Sequence, residues 1–277
     1  MLKQRIITAV LLLAVLLPAL FYPQPEVFDA ITLLFIVAAG WEWARLNGQG
    51  VAASVLCGGV LGLALAALWH FVGLDAPQPL LWQLLGAFWI ATATALLRAG
   101  VPGWPGIARG FRLIAGLVLI GAAWWAMAQA RQIGVTLLLS MMTLVWMADS
   151  AAYFGGRAFG RRKLAPTISP GKSWAGVYTG TAGVLLLAAV WVWAEQRWGV
   201  PGTSLYGRLW ARGPVFALVG LLCLTGMSVA GDLIESLVKR SAGVKDSSQL
   251  LPGHGGVLDR VDALLPVLPL AMLLVTF

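Results

Sequence analysis

The sequence predicts an all-α fold: a polytopic membrane helix bundle of about nine transmembrane helices. Three observations predict it. Of 277 residues, 60% are hydrophobic and only 11% are charged, less than half of the roughly 25% expected in a soluble domain. Apolar runs long enough to cross a hydrocarbon layer about 30 Å thick recur along the whole chain. Fourteen tryptophans suit a protein with two headgroup interfaces, where indole rings concentrate. The mean hydropathy of +0.85 agrees. Helices are the form such runs must take, because lipid satisfies no open backbone groups. The runs are also too long and too evenly apolar for barrel strands.

The first run, Ile6–Tyr22, follows Lys3 and Arg5. Its end, Leu20-Phe21-Tyr22-Pro23, is too bulky for a cleavage site, so it reads as a retained span. Val27–Arg45, Val51–Leu74 and Pro79–Leu97 follow. Glu42, between Trp41 and Trp43, reads as an interfacial acid near a helix end. His70 reads as a hydrogen-bonded residue near a span end. The remaining runs are Leu113–Ala130, Ile133–Tyr153, Ser173–Ala194, Pro214–Ile234 and the proline-containing Val261–Phe277. Cys57 and Cys223 lie inside apolar runs and read as small buried hydrophobes, with no disulfide or zinc site.

Nine spans put the termini on opposite sides. With the N-terminus cytoplasmic and the C-terminus outside, about fifteen Lys and Arg fall on the inner side and about four on the outer. The net charge of +8 thus reads as topology. The basic residues form no single stripe, so no nucleic-acid partner is expected. Both of the richest polar segments, 154–172 and 235–260, fall on the cytoplasmic side, where nucleotides are.

The later segment concentrates chemistry. Asp232, Glu235, Ser236 and Lys239 share one helical face. Lys239-Arg240, Lys245-Asp246, Pro252-Gly253-His254-Gly255-Gly256 and Asp259-Arg260-Val-Asp262 follow. Glycines there permit close backbone approach to a ligand. Hard divalent cations take carboxylate and phosphate oxygens, and nucleotide chemistry uses one or two of them. Asp232, Asp246 and Asp259 are the natural ligands, with Asp262 and Asp149 as further candidates. His254 reads as a proton shuttle or phosphate donor. The bland alternative is a solvated loop whose acids offset its cations.

In the earlier segment, Asp149-Ser-Ala-Ala-Tyr153 leads to Ser169-Pro170-Gly171-Lys172-Ser173. These last residues sit where the seventh span begins, with Pro170 suited to a first helical turn and the helix start suited to anions. Lys172 adds a point charge for a triphosphate. Gly171-Lys172-Ser173 imitates the end of a phosphate-binding loop, but the upstream glycine is replaced by Pro166. A basic loop that only sets topology explains the arginines but not Asp149 and Ser169.

Residues Ser236 to Asp262 resemble the signature of the phosphatidate cytidylyltransferases, also called CDP-diacylglycerol synthases. Its fixed polar and glycine positions correspond to Ser236, Lys239, Arg240, Lys245, Asp246, His254, Gly255, Gly256, Asp259, Arg260 and Asp262. The Asp149 and Ser169–Ser173 stretches resemble the family's other polar patch. The resemblance is specific over spans five to nine. Residues 1–111 match in character alone and read as supporting, lipid-facing spans, with 112–277 as the catalytic region.

The resemblance implies a magnesium-dependent enzyme of a bacterial inner membrane, active on the cytoplasmic side. Its partners would be CTP, phosphatidic acid, the bilayer and a second copy in a homodimer. It would produce CDP-diacylglycerol and diphosphate. Ser169, Lys172, Ser173 and Asp149 would bind CTP. Arg240, Lys245 and Arg260 would meet the lipid phosphate or diphosphate. Asp232, Asp246, Asp259, Lys239 and His254 would form the catalytic set. Asp232, Asp246, Asp259 and Asp262 would hold the metal, with room for a second cation. Other readings are a CTP-dependent polyprenol or phytol kinase, an ion-coupled transporter and a catalytically dead scaffold. A transporter should carry mid-span charges and inverted repeats; here the charges cluster at span ends.

Overall fold

The computed structural model describes residues 2–200 and 202–276, with side chains from 4 onwards; the Lys3 side chain, Pro201 and Phe277, the last residue of the predicted ninth span, lie outside it. Among the described residues, eight helices are long and apolar enough to cross a membrane. They are α1 (Leu2–Phe21), α2 (Pro25–Leu46), α3 (Val51–Val72), α4 (Pro79–Gly103), α5 (Arg109–Ile133), α6 (Val135–Phe159), α7 (Trp174–Trp198) and α9 (Pro214–Ser241). The chain is an integral membrane protein.

The hydropathy-based boundaries hold to within seven residues until the C-terminus, with α4, α6 and α9 ending later than predicted. There the predicted ninth span becomes α10 (Leu258–Val261) and α11 (Leu264–Thr276). A helix of 13 residues rises about 20 Å, short of the roughly 30 Å of hydrocarbon. The assignment of opposite sides to the termini relied on that crossing; the loops carrying the basic excess all precede it. A short helix, α8 (Leu205–Ala211), interrupts the loop after α7. One further departure matters for function. Residues 163–173 form a hairpin, β1 (Lys163–Ala165) antiparallel to β2 (Ser169–Ser173).

The chain forms two compact units, each assembled from separate stretches. The first holds residues 1–76, 102–135 and 238–262. Its centre is α2, which buries Phe28, Ile36, Ala39, Trp43 and Ala44. Small residues let backbones meet. A methyl at Gly58 would lie 2.6 Å from the Val37 carbonyl, and one at Gly116 would overlap the Trp43 ring. The Trp43 indole N–H donates to the Arg112 and Leu113 carbonyls on α5 at 3.2 and 3.1 Å. Asp29, fully buried on α2, accepts from Gln132 Nε2 at 3.0 Å.

The second unit holds residues 77–101, 136–237 and 263–277. Its spine is the α6–α7 pair, closed along a seam of small residues. A methyl at Gly155 would overlap Thr179, one at Gly176 would lie 2.9 Å from the Ala152 carbonyl, and one at Gly180 would lie 2.8 Å from the Ala148 carbonyl. Thr179 Oγ1 donates across the seam to the Ala151 carbonyl at 3.0 Å. At the far end of α7, buried Glu195 accepts from Gly202 N, Thr203 Oγ1 and Ser204 N at 3.2, 3.0 and 2.8 Å. Those bonds shape the turn into α8.

Candidate active site

Each unit carries one polar cluster. In the second unit, the hairpin joins the ends of α6 and α7. Pairing of Ala165 with Ser169 and of Lys163 with Ser173 extends residues 169–173. Pro170 is therefore a strand residue, not the first turn of a helix. Helix α7 begins at Trp174, and Ser173 is its N-cap, its Oγ accepting from Gly176 N at 3.2 Å. The buried Ser173 hydroxyl thus caps the helix start. Ser169 is half-buried on the same strand.

Lys172 extends from that strand to Asp232 on α9, Nζ to Oδ2 at 2.5 Å. Asp149, exposed on α6, lies within electrostatic reach of both Lys172 and Asp232. Ser236 Oγ donates back to Asp232 Oδ1 at 3.3 Å, one helical turn away. One cation and two carboxylates from three elements thus share one place.

The first unit's cluster is the signature segment. Lys239 Nζ meets Asp259 Oδ1 at 2.5 Å. Asp259 Oδ2 accepts from Ser247 N, Ser247 Oγ and Gly256 N, each at 2.8 Å. The loop's glycines serve this arrangement. Gly253 and Gly255 hold φ of 77° and 84°, a region costly for side-chain-bearing residues. A methyl at Gly256 would overlap Ser247 Oγ and the Glu42 carboxylate. The close approach expected toward a ligand is, at Gly256, an approach to the protein's own acid. Arg260 donates Nε and Nη2 to the His254 carbonyl, and Arg240 Nη1 to the Val244 carbonyl. Both arginines, like Lys245 and Asp246, remain exposed. His254 is half-buried, and its Nδ1 has no hydrogen-bond partner among the described residues. Asp262 is half-buried at the end of α10.

Magnitudes separate the two ion pairs. Lys172 and Asp232 keep 24% and 28% of their side-chain surface. A pair with this partial access to solvent is held less firmly than a buried one, so exchanging either partner for a ligand costs less. Lys239 and Asp259 keep 10% and 6%. Removing one partner of such a pair costs roughly 3–5 kcal/mol. Asp259, expected as a metal ligand, has both oxygens committed to protein donors.

Among the described residues, no group of three or more His, Cys, Asp or Glu side chains is arranged to hold a metal ion. Magnesium does not require one: it is commonly held by one or two carboxylates plus substrate phosphate oxygens. Asp149 and Asp232 fit that mode, and Asp246 is the open carboxylate of the signature loop.

Sequence reasoning missed Glu42. It is fully buried and accepts from Ser247 Oγ, Ser248 Oγ, Val257 N and Leu258 N at 3.1, 2.5, 3.0 and 2.7 Å. An isolated acid in an early span carried no signal of partners more than two hundred residues away.

Residues 3–277 match the cytidylyltransferase family. The chain belongs to that family. It is 39% identical to a phosphatidate cytidylyltransferase of Pseudomonas aeruginosa over 275 residues, covering 97% of this chain and 95% of that protein. A Haemophilus influenzae protein of the same name is 37% identical, with 97% and 96% covered. One from Bacillus subtilis is 39% identical over 138 residues, 50% of this chain and 46% of that protein. In this cytidylyltransferase the Lys172–Asp232 ion pair links β2 to α9.

Proposed function

We propose that the protein is a phosphatidate cytidylyltransferase that converts CTP and phosphatidate into CDP-diacylglycerol and diphosphate. The observation that carries this is the Lys172–Asp232 pair with Asp149 beside it. It supplies a positive charge for phosphate oxygens and carboxylates for a counter-cation, at little cost to rearrange. Family membership and the similarity to enzymes of that name support the same reading.

In the reaction, an oxygen of the phosphatidate phosphate attacks the α-phosphorus of CTP. A new P–O bond forms, the bond from the α-phosphorus to its bridging oxygen breaks, and diphosphate leaves with that electron pair. The attacking oxygen is already anionic at neutral pH, so the enzyme needs no strong base. Catalysis is positioning and charge neutralisation. Lys172 would hold CTP phosphates, with the Ser169 hydroxyl beside it on β2. Asp149 and Asp232 would hold magnesium together with the phosphates, and magnesium would neutralise their charge. Exposed Arg240, Lys245 and Arg260 would meet the lipid phosphate, with Asp246 open to a second cation. Lys239 and Asp259 would act by shaping the loop that presents these groups.

The distribution of basic residues supports a cytoplasmic N-terminus and a cytoplasmic signature loop. Bacterial relatives support the bacterial cytoplasmic membrane. Likeness to the family supports a homodimer, which in-membrane crosslinking would detect. The deciding assay supplies purified protein with phosphatidate, magnesium and CTP labelled at the α- or γ-phosphate. Label from the α-position should enter the lipid. Label from the γ-position in lipid would instead identify a kinase and overturn the proposal.

A further inference from the structure

A buried carboxylate is expensive, several kcal/mol even after relaxation, unless donors surround it. Glu42 meets that condition in an unusual way. All four of its hydrogen-bond donors come from the signature loop and none is a cation: two serine hydroxyls and the amides of Val257 and Leu258. Those amides stand at the start of α10, the turn that carries Asp259 and Arg260. Helix starts have unpaired N–H groups that a nearby acid satisfies. Here the acid comes from another helix, α2.

Ser247 ties this clamp to the Lys239–Asp259 pair. Its hydroxyl lies 3.1 Å from Glu42 Oε2 and 2.8 Å from Asp259 Oδ2. One hydroxyl proton serves two carboxylates, so moving either acid disturbs the other. On the loop's other flank, α1 holds it by Arg5 Nε to the Gly253 carbonyl at 3.0 Å and Thr8 Oγ1 to the Pro252 carbonyl at 2.9 Å.

We propose that Glu42 is a positioning residue for the transfer reaction, its buried carboxylate fixing residues 247–259 and so the placement of Asp259, Lys239 and Arg260. This rests on the assignment of the loop to the lipid phosphate. It gives the N-terminal spans a direct part in shaping the reactive loop.

The test compares wild type with Glu42→Gln and Ser248→Ala, purified in detergent and assayed in mixed micelles. Glutamine keeps the shape but turns an N–H₂ group toward two donors. Hydrogen exchange of the 256–258 amides should accelerate at least tenfold in Glu42→Gln, with exchange in α3 and α5 unchanged. Turnover should fall at least tenfold or the KM for phosphatidate rise as much, while the KM for CTP stays within twofold. Ser248→Ala should act in the same direction more weakly, and the double variant should lose less than the product of the two single losses. Ser248→Ala carries the test if Glu42→Gln does not fold. Wild-type loop exchange and turnover in the variants would overturn the proposal. So would a uniform rise in exchange with both KM values unchanged, which marks general destabilisation. Absence of cytidylyl transfer by the wild type would remove the proposed function instead, leaving the exchange comparison to judge the clamp.

Discussion

Asp259→Asn should destabilise the protein, and adding Lys239→Met should restore most of what was lost. In the native loop Asp259 offsets the Lys239 charge and accepts three further hydrogen bonds. Asparagine retains one oxygen for the Ser247 and Gly256 amides but takes the Asp259 charge away from the lysine, which is only 10% exposed. Removing one partner of a buried pair costs roughly 3–5 kcal/mol. At roughly 2–4 °C per kcal/mol, a loss near 3 kcal/mol lowers the unfolding midpoint by roughly 6–12 °C. The double variant has lost both members of the pair and keeps the amide acceptor, so its midpoint should recover by more than half. Its turnover should stay low, because the loop no longer holds its native electrostatics. Thermal unfolding in detergent, followed by intrinsic tryptophan fluorescence, measures the midpoints. A single variant as stable as wild type, or a double variant no better than the single, would refute the buried-charge reasoning.

Lys172→Met should raise the KM for CTP at least tenfold while lowering stability less than Asp259→Asn does, since its ion pair is the more exposed of the two; steady-state kinetics and a melt together check this. Asp232→Asn should shift the magnesium dependence of turnover to higher concentrations, seen by titrating the metal at fixed CTP. Glu195→Ala strips the acceptor from Gly202 N, Thr203 Oγ1 and Ser204 N. It should cost about 2–3 kcal/mol without changing the specific activity of the folded fraction. Gly155→Val should abolish accumulation of folded protein, because the new side chain would enter the space of Thr179; size-exclusion recovery after extraction reports it.

Hydropathy carried most of the fold because lipid leaves a chain few options. Seven of the eight long helices follow from runs of apolar residues alone, and α4 does too apart from its break at Gly100 (φ 65°). The hairpin was not legible. Ser169 to Ser173 has no alternating pattern, and its strand character depends on pairing with Lys163–Ala165. Pro170 satisfied a helix-start rule locally and lost to that pairing. The final apolar run suggested a span by composition, but its continuous helix begins only at Leu264.

At the site, residue types were legible and contacts were not. Lys172 was assigned to phosphate on its charge and its local motif; its partner Asp232 is sixty positions away on α9. Asp259 was read as a metal ligand because hard divalent cations take carboxylate oxygens. Its actual partners, Lys239, Ser247 and Gly256, lie within twenty residues, yet loop geometry hides them from any periodic rule. Glu42 needed the tertiary structure entirely.

The glycine seam between α6 and α7 has a mechanical effect on the chemistry above it. Where two backbones touch with no side chain to compress, neither helix can rotate or slide without collision. The pair behaves as a single strut, and the hairpin is the short cap welded across its top. Lys172 therefore inherits its address from alanines and glycines in the nearest three turns. Widening that joint by one methyl should miss-aim the ammonium group from a distance, with every polar residue of the cluster still present.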